Sequence, residues 1–162
     1  MSPLPSQPPF PQVLLPRFGH VELVEPAKHL LEAARAQLPA ERVRACHLSS
    51  LQAFVPPESA RYALVWVQWV SNYLTDDDLI GVLRRCAVSL AGASARLVVK
   101  ESISRDENGF FVDRSDASIT RTDAHFRALF SAATLRVAHV ERQPGMPRGV
   151  FPVNMYVLQP DV

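Results

Sequence analysis

Polar and aromatic side chains gather just past four apolar runs of this sequence. Glu25 follows VELV, Leu51 and Gln52 follow VRACHL, Gln68, Trp69, Asn72 and Tyr73 stand at or beyond the end of YALVWVQWV, and Glu101 with Ser102 follows ARLVVK. In an open parallel sheet ligands bind beyond the carboxyl ends of the strands, so these are the positions that could do chemistry. A carboxylate accepts two hydrogen bonds at once and can hold both hydroxyls of a ribose, which makes Glu25 a candidate; a strand-end Glu is also an ordinary solvated surface group. Farther on, DRSD puts Asp113 and Asp116 around Arg114 in a long polar segment, by itself a solvated charge cluster of small energetic weight. Trp66 lies deeper in its run, on the face of Gln68 if the strand is regular, and reads as core.

The elements that must position these residues follow from periodicity. His20–Pro26 reads as a short strand and Ala27–Leu38 as a helix with Pro26 near its first turn. Val43–Leu48 is a second strand, and Tyr62–Val70, apolar on both faces, a third and central one. Thr75 with Asp78 makes a capping box for a helix from Asp76 to Leu90, whose Leu79, Ile80, Leu83, Cys86, Ala87 and Leu90 recur at helical spacing. Ala95–Ser102 returns as a strand, Ile103–Thr120 reads as a long polar loop, and Thr122 caps a helix over Asp123–Ala133. Leu135–Gln143 and Phe151–Gln159 close the chain as two strands joined by a turn-rich connection. Alternating strands and helices that end in a hairpin predict an α/β fold, mainly parallel with an antiparallel C-terminal edge.

Length and composition bound the rest. One domain is expected over residues 13–162, after a Pro-rich, extended leader at 1–12; six of the 14 prolines fall within the first 16 residues. The leader's P-x-x-P spacings would also suit an SH3 or WW groove. With 17 basic and 16 acidic residues there is no field to gather nucleic acid or an anionic membrane. Cys46 and Cys86 read as small core residues, not as a disulfide or metal pair. The five histidines lack ligand spacing, so no metal is expected. Neither a signal peptide nor a long apolar span is present, which predicts a cytoplasmic or nuclear location.

The run VELVEP, HLSSLQAF, WVQWVSNYLTDDDLIGVLRRC, LVVKES, FFVDRSDASITRTD, FRALFSAA and ERQPGMP resembles the alpha-N-terminal protein methyltransferases over Val13 to the C-terminus. These are class I S-adenosylmethionine enzymes that methylate the α-amine of proteins beginning X-Pro-Lys. The WVQWV…LTD…LRRC block and the DRSDASITR loop are the most specific elements. The resemblance implies a Rossmann-like sheet, S-adenosylmethionine as cofactor and a protein N-terminal peptide as substrate. It places Glu25 on the ribose, Leu51 and Gln52 along the adenine and Gln68 beside the cofactor. Trp69, Tyr73, Ser102, Asp113 and Asp116 fall on the peptide side. Asp116 is then the candidate to take the amine proton, with Tyr73 and Ser102 beside it. Asp113 would pair with the substrate's lysine and Trp69 would pack on its proline.

The sequence also departs from the family pattern. No G-x-G occurs, and the first strand with its glycine-rich loop is missing, so the chain reads as an N-terminally truncated member with unpaired sheet edges. Tyr73 stands where a histidine is usual, Ser102 where an asparagine is expected, and Gly149 and Phe151 replace an acidic and a tyrosyl position. Two other functions follow from these departures. One is a non-catalytic remnant that binds a partner, or a second copy, through an exposed edge; the other is transfer to a small amine.

Overall fold

The computed structural model describes residues 10–161, which divide into two units, 10–54 and 55–161. The division falls just before Pro56 and Pro57, residues whose missing N–H groups cannot extend a ladder.

In the first unit, α1 (Phe10–Leu14), β1 (Val21–Glu25), α2 (Lys28–Ala36) and β2 (Val43–Leu48) follow in order. Residues 1–9 of the leader lie outside the described residues. Phe10, Pro11 and Gln12, expected to continue it, open α1 instead; proline is tolerated in a first helical turn because its N–H would find no intrahelical partner there. β1 and β2 are parallel, with Glu25 opposite Leu48, and α2 makes the crossover. The Arg42 guanidinium ties the approach to β1 in place by donating to the carbonyls of Leu15 (2.6 Å), Phe18 (2.8 Å) and Gly19. Leu31 and Leu38 are the buried side chains among the described residues of this unit.

The second unit is built on a four-stranded sheet in the order β3 (Leu64–Gln68), β4 (Arg96–Ser102), β8 (Val153–Pro160), β7 (Leu135–Arg142). β3 and β4 are parallel; β8 is antiparallel to both of its neighbours, giving the expected antiparallel edge. The run over Tyr62–Val70, expected to be central, yields a shorter strand at one end of this sheet. Trp69 leaves extended backbone (φ 50), and Tyr62 pairs with Leu90 in an isolated bridge outside the strand. α3 (Asp76–Val88) and α4 (Asp123–Ala132) supply Leu79, Leu83, Phe126 and Phe130 to the core, and Phe126 and Phe130 pack on Tyr156 of β8 with centroids 5.9 and 5.2 Å away. Both helices begin at a threonine: Thr75 accepts the Asp78 N–H and Thr122 the His125 N–H, each at 3.2 Å.

The polar loop expected over Ile103–Thr120 is instead a hairpin, β5 (Phe110–Asp113) with β6 (Ser118–Arg121). Phe110, Phe111 and Val112 have the aromatic and β-branched character that pays no penalty in a pleated strand, and the turn between them and SITR is closed by its own side chains. Asp113 Oδ1 accepts the Ser115 N–H at 2.8 Å and Asp116 Oδ1 the Ser118 N–H at 3.0 Å, while Ala117 takes the left-handed conformation (φ 58). No helix among the described residues is long and apolar enough to cross a membrane.

Candidate functional site

The second unit holds a cleft of about 320 Å³ where β3 and β4 end. Trp69, Tyr73, Ser102, Asp113 and Asp116, widely separated in sequence, all line it. Parallel strands deliver Trp69 and Ser102 at neighbouring carboxyl ends, the turn over Ser71–Tyr73 delivers Tyr73, and the β5–β6 hairpin delivers the two aspartates. Along β5 alternate side chains share a face, so Phe111 and Asp113 both point into the cleft, opposite Thr120 and Ser118 of β6. Phe151 closes another side, 5.7 Å from the Phe111 ring.

Three carboxylates face this space, and among the described residues no lysine, arginine or histidine lines it. Their environments differ. Glu101, 1% exposed, is lifted above the usual carboxylate range by burial, a shift opposed by the Ser71 hydroxyl (2.7 Å), the Ser102 N–H (3.0 Å) and the N–H groups of Ser71 and Asn72. Asp113 is held below that range by the Ser115 hydroxyl and N–H. The Tyr73 phenol, 3.5 Å from Asp116 Oδ2, is pushed up chiefly by the Asp116 charge. At pH 7 the phenol therefore keeps its proton, and the acidic residues make a negative pocket rimmed by rings, a setting suited to an ammonium group.

Trp69 is fixed from two directions. Its backbone N–H donates to the Lys100 carbonyl at 3.1 Å, and the Lys100 ammonium sits 4.8 Å from the ring centroid. The backbone is thereby pinned at the strand end and the ring faces a cation, while 47% of the residue stays exposed. Asn72 lines the cleft, and its Oδ1 is buried without a hydrogen-bond partner among the described residues.

The remaining candidates are not among the residues that line this cleft. Gln68 accepts the Trp66 indole N–H through Oε1 at 3.0 Å, so the two share a face of β3 and Trp66 does not line the cleft. Within the first unit, Glu25 ends β1 and Leu51 and Gln52 stand in the turn that follows β2, at the same carboxyl end of a parallel pair. Glu25 Oε1 accepts the Ala27 N–H at 2.9 Å, which orients the carboxylate and leaves it further lone pairs. A carboxylate beside an apolar and an amide side chain at one strand end is a donor set that fits a ribose and an adenine. Among the described residues no cluster of His, Cys, Asp or Glu could hold a metal ion.

Neither the burial of Arg121 nor a role for Glu101 is visible in the sequence alone. Arg121 is fully buried and bonds Asp76 Oδ1 (2.7 Å) and the carbonyls of Ser71 (3.0 Å) and Leu74 (2.6 Å). Its one signal was alternation in SITR, which puts Arg121 on the face of Ile119, away from Ser118 and Thr120.

A family model described as AdoMet dependent proline di-methyltransferase matches residues 11–159. The chain belongs to this family. Its members depend on S-adenosylmethionine, as the description states. Alpha N-terminal protein methyltransferase 1 of Oryza sativa subsp. indica is 38% identical over 153 residues, 90% of this chain and 48% of the relative. N-terminal Xaa-Pro-Lys N-methyltransferase 1-B of Xenopus laevis is 33% identical over 150 residues, 91% of this chain and 66% of the relative. Among solved structures, a SAM-dependent methyltransferase of Leishmania major superposes with a TM-score of 0.79 at 33% identity, over 87% of this chain and 55% of that one. The fold is therefore that of the class I methyltransferases. The chain spans from about half to about two thirds of the length of these relatives.

Proposed function

We propose that this chain methylates the α-amine of protein N-termini, with S-adenosylmethionine as methyl donor and Xaa-Pro-Lys as the preferred beginning. The observation that carries this reading is the cleft, in which three carboxylates and the rings of Trp69, Tyr73, Phe111 and Phe151 surround a space with no basic lining residue. The names of the relatives supply the identity of the amine.

When bound, S-adenosylmethionine supplies an electrophilic methyl group on a sulfonium. The amine must reach it neutral and in line, so one residue takes a proton and others fix direction. Asp116 takes that proton. Tyr73, kept protonated by the same carboxylate, donates toward it and holds its orientation, and Ser102 offers a hydroxyl at the neighbouring strand end. Asp113, ionised at any working pH, pairs with the lysine ammonium of the substrate, and the Trp69 face packs on its proline. Glu25 accepts from ribose hydroxyls, Leu51 and Gln52 line the adenine, and Gln68 stands beside the cofactor.

Mass spectrometry of a peptide beginning Ala-Pro-Lys, incubated with the full chain and S-adenosylmethionine, tests this. Methyl groups should appear on the free-amine peptide and not on its N-acetylated form, and Asp116→Asn should slow transfer by about 10²–10⁴-fold. Binding of S-adenosylhomocysteine without any transfer to the peptide would defeat the substrate assignment.

A further inference from the structure

The turn Ser71–Tyr73 carries two residues of the cleft wall and is gripped from both sides through one buried serine. The Ser71 hydroxyl donates to Glu101 at 2.7 Å, and the Ser71 carbonyl accepts Arg121 Nη1 at 3.0 Å. Arg121 Nη2 donates to the Leu74 carbonyl at 2.6 Å, so the guanidinium holds the backbone before and after Tyr73. Its Nε donates to Asp76 Oδ1 at 2.7 Å, adding the first residue of α3, and His125 Nε2 lies 2.7 Å from the other oxygen of Asp76. Arg121 itself belongs to β6, the strand that follows the turn carrying Asp116. One planar cation thus joins the piece of chain that presents the phenol to the piece that presents the carboxylate.

We propose that Arg121 is a positioning residue, which sets the Tyr73–Asp116 separation and through it the readiness of Asp116 to take the amine proton. The inference rests on the role of Asp116 proposed above. Geometry requires arginine here: three acceptors in three directions are met by a rigid fork of N–H donors, and a lysine ammonium at the same depth cannot reach all three. The separation of 3.5 Å is at the limit of a hydrogen bond, where a small displacement of either piece abolishes the contact.

The phenol reports this distance without any need for methyl transfer. Asp116, Glu101 and Asp113 are the charged groups that act on it, Asp116 foremost. The experiment titrates Tyr73 by ultraviolet absorbance, as the difference between parent and Tyr73→Phe, in the full chain and in Arg121→Lys, Arg121→Met and Asp76→Asn, with circular dichroism to show that each is folded. Arg84→Met, which removes the bond from Arg84 to the Ala132 carbonyl, two residues that do not line the cleft, is the control for a general loss of stability. Folded Arg121 variants should titrate Tyr73 closer to the ordinary tyrosine value, and kcat should fall about 10–100-fold with KM for the cofactor unchanged, while Arg84→Met alters neither. If Arg121→Met does not fold, Arg121→Lys and Asp76→Asn decide the matter. An unshifted Tyr73 titration in any folded variant of Arg121 overturns the proposal. A shifted titration in a protein that transfers no methyl group would uphold the geometric coupling and defeat the catalytic reading alone.

Discussion

The two units carry candidate residues on frames of different solidity. β4 runs through the second unit with Leu97, Val98, Val99 and Glu101 all buried, whereas every residue of β1 in the first unit is only half-buried. α3 and α4 begin at threonines whose side chains cap them; α2 begins at Ala27, which has no side-chain cap. The difference teaches that the residues lining the cleft stand on a packed and capped scaffold, while Glu25, Leu51 and Gln52 stand on a two-stranded sheet with two buried leucines. A two-stranded sheet is marginal without further packing.

The largest expected contrast is in thiol chemistry. Burial pushes the Cys86 thiol up to about 11, so at pH 8 only about a thousandth of it is thiolate, and Cys46, half-buried on β2, should react first and much faster with iodoacetamide. Equal labelling rates would erase the distinction between the units. Core truncation comes next. Phe130→Ala should cost about 3–5 kcal/mol and Leu31→Ala about 2 kcal/mol, read from urea denaturation. Removing the Tyr156 hydroxyl, which donates to Asp123 Oδ1 at 2.8 Å and accepts from Asn154 at 3.1 Å, should cost about 1–3 kcal/mol in Tyr156→Phe.

Acid sharpens the comparison within the second unit. Burial alone would raise Asp76, but the hydrogen bonds from Arg121 and His125 outweigh it and hold its folded pKa below the ordinary 3.8. Its contribution is therefore complete above the unfolded value and is lost as pH falls through the folded one. A plot of unfolding free energy against pH should lose part of its slope below about pH 4 in Asp76→Asn. Glu101, lifted by burial, has the opposite sign: its share of stability declines as pH rises from 4.5 toward its folded value. The smallest effects concern the caps. Thr75→Ala should cost about 1 kcal/mol, and Ala27→Ser should gain a few tenths to about 1 kcal/mol; thermal melts resolve both.

Much of this molecule is legible in its residues because the relevant signals are local. VRACHL gives β2 at its exact bounds, and Thr75 and Thr122 mark the starts of α3 and α4. The strand-end rule picked out five side chains that the fold does bring to one cleft. The β5–β6 hairpin escaped because strands of four residues joined by a turn rich in Asp and Ser look polar on average. Arg121 escaped for a different reason. A charged residue at the end of a short strand looks solvated, and only the long-range meeting with Ser71, Leu74 and Asp76 makes its burial affordable. Likewise the high pKa of Glu101 depends on how much protein covers it, which no spacing encodes.

Trp69 holds a left-handed backbone conformation that a bulky side chain adopts only at a cost of about 1 kcal/mol or more. Glycine would occupy the same conformation without strain, so a heat-tolerance screen has a route open at this position that removes the indole from the cleft wall. Variants recovered there should outlast the parent on heating and, on the role proposed for Trp69, hold the proline of a substrate peptide less well. Thermal robustness and ligand recognition thus compete for a single residue.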